Sequence, residues 1–518
     1  MPGKPRDVRV VRALLILLGV SFVTWASVFV ARSAVTTGQG RYYCLFDDAM
    51  VSLRYAWNLA HGLGLVWNAG EKVEGISSLS WSLYMSLGAL FLDKSRAVLF
   101  VQLTGIPLVL GVALLARRLS SELDDCPFSG LISAAAVLGY YPLSYWSLMG
   151  METGLLAALC LGALLLALRS DGHPRGNEPL GLLLGLMFAT RPDAALPAAA
   201  ILAFRAIRIL QQHRRLRALR PWLPEAVLFI GVLAGLTLFR WLYYGSPLPN
   251  TYQLKLAGWP LAWRLRNGAR FVAPFLATSR YLLLFALCSL AFQRDPRRVL
   301  LLAFAACVVA GQVWVGGDAW PYWRMLVPAV LALIVLAVDG AAALGRWVLG
   351  AHRRHLSAGC ALAAASAAVY AADQPFLAEL RLQVPAYTVS FNRATVAAGL
   401  ELARYADPQG SVAVAAAGAV PYYSGLRGVD VLGKSDPHIA RLPGDGAYGD
   451  TVTPGHNKYD LHYSIEQLRP DAIYDAVSLS RRPGNDVFEF VRRNYVQRGS
   501  FWLRRDSPHV HWDRIDPG

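Results

Sequence analysis

The stretch VRALLILLGVSFVTWASVFVA, residues 11–31, decides the fold. It stays apolar for about 20 residues, the length a helix needs to cross the hydrocarbon core of a bilayer. Lys4, Arg6, Arg9 and Arg12 gather at its start. It outruns the apolar part of a signal peptide and lacks a small-residue cleavage site, so it reads as a retained span from cytoplasm to outside. Ten further apolar stretches follow, near 97–116, 128–145, 153–169, 179–191, 194–209, 223–243, 278–293, 298–315, 323–345 and 356–372, for about eleven spans in all. Ser77–Leu92 is short, and counting it as a span would put Arg117/Arg118 outside and reverse the later basic loops, so it is expected to lie along, or re-enter, the membrane interface.

Composition agrees. Of 518 residues 55% are hydrophobic and 16% charged, and mean hydropathy is +0.37. A purely soluble, disordered or collagen-like chain is excluded. The net charge of +16 admits nucleic acid, anionic lipid or membrane topology as its cause. Its distribution decides. Residues 373–518 hold 16 basic and 17 acidic groups, leaving 34 basic and 17 acidic in residues 1–372. With eleven spans, the cytoplasmic segments contain the N-terminal four, Arg117/Arg118, Arg169/Arg175, the Arg205–Arg220 cluster, Arg294/Arg297/Arg298 and Arg346/Arg353/Arg354, 20 of those 34. That is the positive-inside pattern, and it places the neutral tail outside. No nucleic-acid partner is expected. The six cysteines show no metal-type spacing.

The expected architecture is therefore a polytopic α-helical membrane module over residues 1–372, with an outer-face loop at 33–96, and a C-terminal soluble α/β domain over 373–518. In the tail a helix is expected at 394–406, strands at 411–416, 430–432 and 472–474, and a strand or hairpin at 495–504.

This topology collects the unusual polar stretches on the outer side. As a helix from Asp47, the first loop sets Asp47, Arg54, Asn58 and His61 within about 60° of one another, with Asp48 near Tyr55. This resembles an amphipathic interfacial helix offering a carboxylate and a guanidinium. The plainer reading of an Asp pair ahead of a helix is a cap. Four other outer stretches carry similar groups: WSLMGMET (146–153) with Glu152; TRPD (190–193) with Arg191 and Asp193; RWLYYGSPLPNTYQLK (240–255) with Tyr243, Asn250, Tyr252 and Lys255; and GGDAWPYWR (316–324) with Asp318, Trp320 and Arg324. Any one of these reads as a structural ion pair; together they point to a shared polar cavity at one membrane face. Such a cavity suits sugar transfer from a polyprenyl phosphate: a carboxylate takes the acceptor proton and a cation stabilises the departing phosphate. Transport by alternating access would instead favour polar groups near the midplane in repeated halves, and no repeat is evident. A glycolipid flippase and a non-catalytic binding subunit are the competing readings.

In order, DDAMVSLRYAWNLAHGLGLVWNAGE (47–71), GMET, TRPD, YYGSPLPNTY and GGDAWPYWR resemble the motifs of bacterial GT-C glycosyltransferases. The nearest branch is the polyprenyl-phosphoarabinose-dependent arabinofuranosyltransferases of cell-envelope and pilin modification. The resemblance continues at PYYSGLRGVDVLGKSDPHIAR (421–441) and PGHNKYD (454–460). It implies a lipid-linked donor, a glycan, glycolipid or protein acceptor, and an outer-face site in the bacterial inner membrane with the N-terminus cytoplasmic. By this resemblance Asp47 takes the position of the catalytic acid, with Asp48 beside it and Glu152 in the second acidic motif, and the face it shares with Arg54 favours Asp47 of the pair; Lys255 and Arg324, joined by Arg191, are the candidates for the donor phosphate. Arg54, Tyr55, Asn58, Asp193, Tyr243, Asn250, Tyr252, Asp318, Trp320, His456 and Lys458 are the candidates for holding substrate. Arabinofuranose is the implied sugar, with mannose or another polyprenyl-linked sugar as the alternative. Some relatives use a divalent cation and others none; Asp47, Asp48 and Glu152 would be its oxygen ligands.

Overall fold

The computed structural model describes residues 5–38, 40–170, 177–350, 353–443, 453–481, 484 and 486–515. Lys4, Arg175 and the side chains of Arg6 and Arg354, counted above among cytoplasmic cations, lie outside the described residues.

The chain opens with α1 (Pro5–Ser33) and an antiparallel pair, β1 (Val35–Thr37) and β2 (Gly40–Tyr42). Helices follow: α2 (Asp47–Ala60), α3 (Leu79–Phe91), α4 (Lys94–Ser121), α5 (Pro127–Gly139), α6 (Tyr141–Leu148), α7 (Thr153–Arg169), α8 (Glu178–Thr190) and α9 (Ala195–His213). Beyond them come α10 (Leu223–Tyr244), α11 (Asn250–Lys255), α12 (Leu261–Thr278), α13 (Arg280–Phe292), α14 (Pro296–Val315), α15 (Val327–Leu349), α16 (Arg354–Asp373) and α17 (Leu377–Leu380).

Each of the eleven apolar stretches falls on a helix, yet length and composition support fewer crossings. Among the described residues six helices are long and apolar enough to cross a membrane, and α12–α13, bent by 77°, makes a seventh if taken as one span. α5, α7 and α8 are shorter apolar helices, as is α3. The 128–145 stretch is two helices because Pro142 opens α6 and Tyr140 before it is extended (φ −76°, ψ 101°); a proline ring cannot continue the preceding helix. α9 is interrupted by charge: Arg205 reaches Glu225 of α10 at 2.5 Å, both side chains buried.

The bundle is organised around α15, VPAVLALIVLAVDGAAALGRWVL, which is apolar around most of its circumference and buried along most of its length. It packs against α13, α14 and α16. At Gly340 a Cβ would lie 1.9 Å from the Phe285 carbonyl oxygen, so only glycine allows α13 this close.

The tail carries α18 (Val389–Tyr405), β3 (Ser411–Val414), α19 (Ala419–Ser424), β4 (Arg427–Asp430), α20 (Pro437–Arg441), β5 (Ala472–Ile473), α21 (Phe488–Asn494), β6 (Tyr495–Arg498) and β7 (Phe501–Arg504). The sheet order is β4-β3-β5-β7-β6. β3 is parallel to β4 and β5, while β7 is antiparallel to β5 and β6. The strand expected at 430–432 lies earlier. Asp430 ends it by accepting the N–H groups of Leu432, Gly433 and Ser435 at 3.1, 3.0 and 2.7 Å.

The expectation that α2 lies at an interface is corrected by its surroundings. Ten of its fourteen residues are buried. Val51 and Tyr55 of α2, with Trp67 and Ile76 of the following loop, share one apolar cluster with Leu402, Val414, Leu426 and Phe501 of the tail. The sheet thus covers the face that would otherwise meet solvent.

Candidate active site

The site forms where the N-terminus of α2 meets the C-terminal ends of the parallel strands, the edge at which open α/β sheets present their loops to ligands. Asp47 and Asp48 occupy the first turn of α2, where the helix dipole favours negative charge. Neither caps it: the cap position is Phe46 and no side chain bonds the helix start. The amide of Phe46 donates to the Met149 carbonyl at 2.9 Å, tying the turn to the end of α6.

The two carboxylates have unlike environments. Asp47 is 8% exposed, and its Oδ1 accepts the Gly418 N–H from the loop after β3 at 3.0 Å. Burial pushes its carboxyl up to about 7, against the pull of Lys434 and with a further push from Asp48. A Cβ at Gly418 would sit 2.4 Å from the Asp47 carbonyl oxygen and from Oδ1, so this approach requires glycine. Asp48 is ringed by donors. Lys434 bonds its Oδ1, Arg324 Nη1 lies 2.9 Å from Oδ2, and Trp320 Nε1 donates to Oδ2 at 3.1 Å. Burial alone would raise Asp48, but Lys434, Arg324 and Lys255 outweigh it and hold the carboxyl well below its ordinary range.

Arg324 follows two non-glycine residues of positive φ, Tyr322 (66°) and Trp323 (41°), a backbone conformation that costs free energy and clusters at functional sites. Its guanidinium grips Asp318 through Nε at 2.6 Å and Nη2 at 3.1 Å while Nη1 reaches Asp48. Glu152 pairs with Arg191 at 2.6 Å, and Arg191 also bonds Asp193 at 2.9 Å. Asp48, Glu152, Arg191, Lys255, Arg324 and Lys434 all line one cavity of about 40 Å³. Lys255 stands apart: burial lowers its affinity for a proton, and no hydrogen bond or ion pair of its ammonium is formed among the described residues.

Several expected substrate ligands are placed elsewhere. The wheel puts Arg54 on the side of Asp47, but its guanidinium bonds the carbonyls of Trp67 and Leu426, each at 2.7 Å, and that of Pro421. Asn58 donates to Val66 and Trp67 carbonyls, and the Tyr55 hydroxyl to that of Val73. The Tyr243 hydroxyl accepts the Leu65 N–H. Lys458 is buried with its ammonium on the carbonyls of Gln253, Ala257 and Ala440. Backbone partners saturate these groups, which hold loops around the cavity rather than line it. Asn250 bonds the carbonyls of Gly433, Lys434 and Asp436 at 3.0, 2.9 and 3.2 Å. Tyr252 is 43% exposed and does not line the cavity. His456 sits edge-on to Trp320 with ring centres 5.1 Å apart.

Lys434 is the residue missed from sequence. It lies inside the quoted motif, but only the strand ending at Asp430 turns it toward α2. The expected metal ligands are not assembled either. Asp48 is engaged by two cations and Glu152 by a third, and among the described residues no group of three or more His, Cys, Asp or Glu is arranged for a metal ion. This donor set does not fit a divalent cation.

The fold, a helical bundle with its polar cavity at one end and a tail over it, is shared with solved structures. ArnT from Cupriavidus metallidurans, solved bound to undecaprenyl phosphate, superposes with TM-score 0.54 at 13% identity, covering 93% of this chain and 97% of that one. The archaeal oligosaccharyltransferase AglB from Archaeoglobus fulgidus, in complex with an inhibitory peptide and a dolichol-phosphate, gives 0.51 at 12% identity, over 96% and 74%. In sequence, the terminal β-(1→2)-arabinofuranosyltransferase of Corynebacterium glutamicum is 26% identical over 339 residues, 56% of this chain and 47% of that protein. The Mycobacterium tuberculosis enzyme of the same name is 26% identical over 247 residues, 44% and 37% respectively. The chain thus spans less than half the length of these curated relatives. Residues 383–513 match a family described as a domain of unknown function (DUF8728).

Proposed function

We propose that this cavity transfers a sugar from a polyprenyl-phosphate donor to a hydroxyl acceptor, with inversion at the anomeric carbon, on the outer face of the bacterial inner membrane. The observation that carries the reading is Asp48, a carboxylate set among Lys434, Arg324 and Lys255 in one cavity at the end of an apolar bundle. The acceptor oxygen bonds the anomeric carbon as the bond from that carbon to the phosphate oxygen breaks. The electron pair leaves with the polyprenyl phosphate, and the acceptor proton passes to Asp48. The cations stabilise the second negative charge that the phosphate gains. Asp48 rather than Asp47 is the base in this reading because Asp48 lines the cavity, while Asp47 turns to the Gly418 amide. Arabinofuranose is the proposed sugar on the strength of the two curated relatives, with a glycan, glycolipid or protein as acceptor.

The test is transfer by the purified, reconstituted protein from polyprenyl-phosphate arabinofuranose and polyprenyl-phosphate mannose. Asp48→Asn is expected to lower turnover by about 10²–10⁴-fold, with Asp47→Asn affected less. Undiminished transfer by Asp48→Asn sinks the assignment of the base. Donor crossing the bilayer without transfer makes the protein a flippase.

A further inference from the structure

The four cations of the cavity are held in different ways. Arg324 is fixed twice, by Asp318 and by Asp48, and Arg191 is fixed by Glu152 and Asp193. Lys255 has no partner among the described residues. Lys434 has one, Asp48. Its backbone is pinned while its side chain is not: Asp430 accepts three N–H groups on either side of it, Asn250 holds the carbonyls of Gly433 and Lys434, and the Tyr55 hydroxyl meets Ser435 Oγ at 3.3 Å. What remains free to move is a four-carbon stem ending in a point charge with rotatable donors. The cavity is open on one side and is lined by all four cations. A phosphate entering it meets Lys434 and Lys255 together.

We infer that Lys434 is a donor-contacting residue shared between two anions: its ammonium neutralises Asp48 in the empty enzyme and transfers to the donor's phosphate beside Lys255, freeing Asp48 to take the acceptor's proton. Lys434 is the group that can leave Asp48, because its departure breaks one ion pair and loosens only its longer-range attraction to Asp47 and Asp430, whereas moving Arg324 would also strand Asp318. The consequence is an order of events in which the base becomes available only when a phosphate is in place. This gives the tail, whose family carries no assigned role, a part in the chemistry. The inference rests on the donor reading above, and its test separates the two.

Binding of polyprenyl phosphate without sugar is measured on the full-length reconstituted protein, its Lys434→Met, Lys434→Arg and Asp48→Asn variants, and the Asp48→Asn/Lys434→Met double variant. Lys434→Met is expected to weaken binding about tenfold and Lys434→Arg to restore most of it. Asp48→Asn is expected to tighten binding about tenfold, since it removes the competing anion, each tenfold step being about 1.4 kcal/mol. The double variant is expected to show no such tightening over Lys434→Met. Unchanged binding in Asp48→Asn, or equal tightening with and without Lys434, overturns the inference while leaving the donor reading in place. Failure of the wild type to bind polyprenyl phosphate overturns both. Unfolding temperatures of all variants within a few degrees of wild type are required, and Lys434→Arg separates loss of a contact from loss of the fold.

Discussion

Asp47 and Asp48 are neighbours in sequence, yet burial pushes one up to about 7 while cations hold the other far down. For Asp47 the linkage has a definite sign. A carboxyl whose folded-state affinity for a proton is raised lends its stabilisation in full below the ordinary value of 3.8, and loses it as pH climbs to about 7. Asparagine at 47 keeps an oxygen for the Gly418 amide and carries no charge. Asp47→Asn is therefore expected to raise the unfolding temperature relative to wild type by more at pH 8 than at pH 5; a difference that does not grow with pH would show that the buried charge is not what costs stability. Lys434, Asp48, Asp475 and the Gly418 amide are the groups acting on Asp47. The acid pair stood out in the sequence because four other polar stretches fell on the same side as its loop. The roles of Arg54 and Lys434 were not legible there. A helical wheel gives an angle but not the neighbours: Arg54 meets the distant carbonyls of Pro421 and Leu426 as well as that of Trp67, and Lys434 meets Asp48 on α2.

At the level of elements, α2 reads as amphipathic yet sits under a sheet, so its polar side meets backbone carbonyls instead of headgroups. The apolar stretches predicted helix positions well, because burial in lipid or in protein asks for the same composition. They predicted crossings less well, because Pro142 divides one stretch and an internal Arg205–Glu225 pair marks another. The tail's strand positions were largely legible in the sequence, but not their order, which depends on pairings between distant segments. The contact between α2 and the β3–α19 loop is a close joint between tail and bundle. Gly418→Val is expected to force the loop off Asp47, at about 1–3 kcal/mol for overpacking. The readouts are a lower unfolding temperature and faster proteolysis within residues 383–443; unchanged proteolysis would mean that the loop accommodates the side chain.

Across the whole molecule, the basic excess divides into two kinds. Arg117 and Arg118 form no ion pair among the described residues. Arg205 and Arg298 do not stand free: Arg205 is locked to Glu225, and Arg298 to Asp339 through Nε at 2.8 Å and Nη2 at 2.9 Å. Asp339 lies on α15 and is fully buried, so Arg298→Met leaves a carboxylate stranded in the core. Removing one partner of such a pair costs about 3–5 kcal/mol, and replacing both with apolar residues recovers most of it. Thermal unfolding of Arg298→Met and of Arg298→Met/Asp339→Leu checks this; equal stability of the single variant and wild type would show that the pair contributes nothing to the bundle.

Asp48 and Lys434 are 386 positions apart in the chain, and that separation bears on how the protein is made. The helix bearing the acids is synthesised early, while the lysine belongs to a segment that follows the last apolar helix. With the tail outside, as proposed, the site cannot exist until that segment has crossed the bilayer and closed over α2. Insertion of the helices alone leaves a bundle with an uncovered acidic helix. On that reading export of the tail is the step that completes the site, on the side where the proposed donor would be consumed.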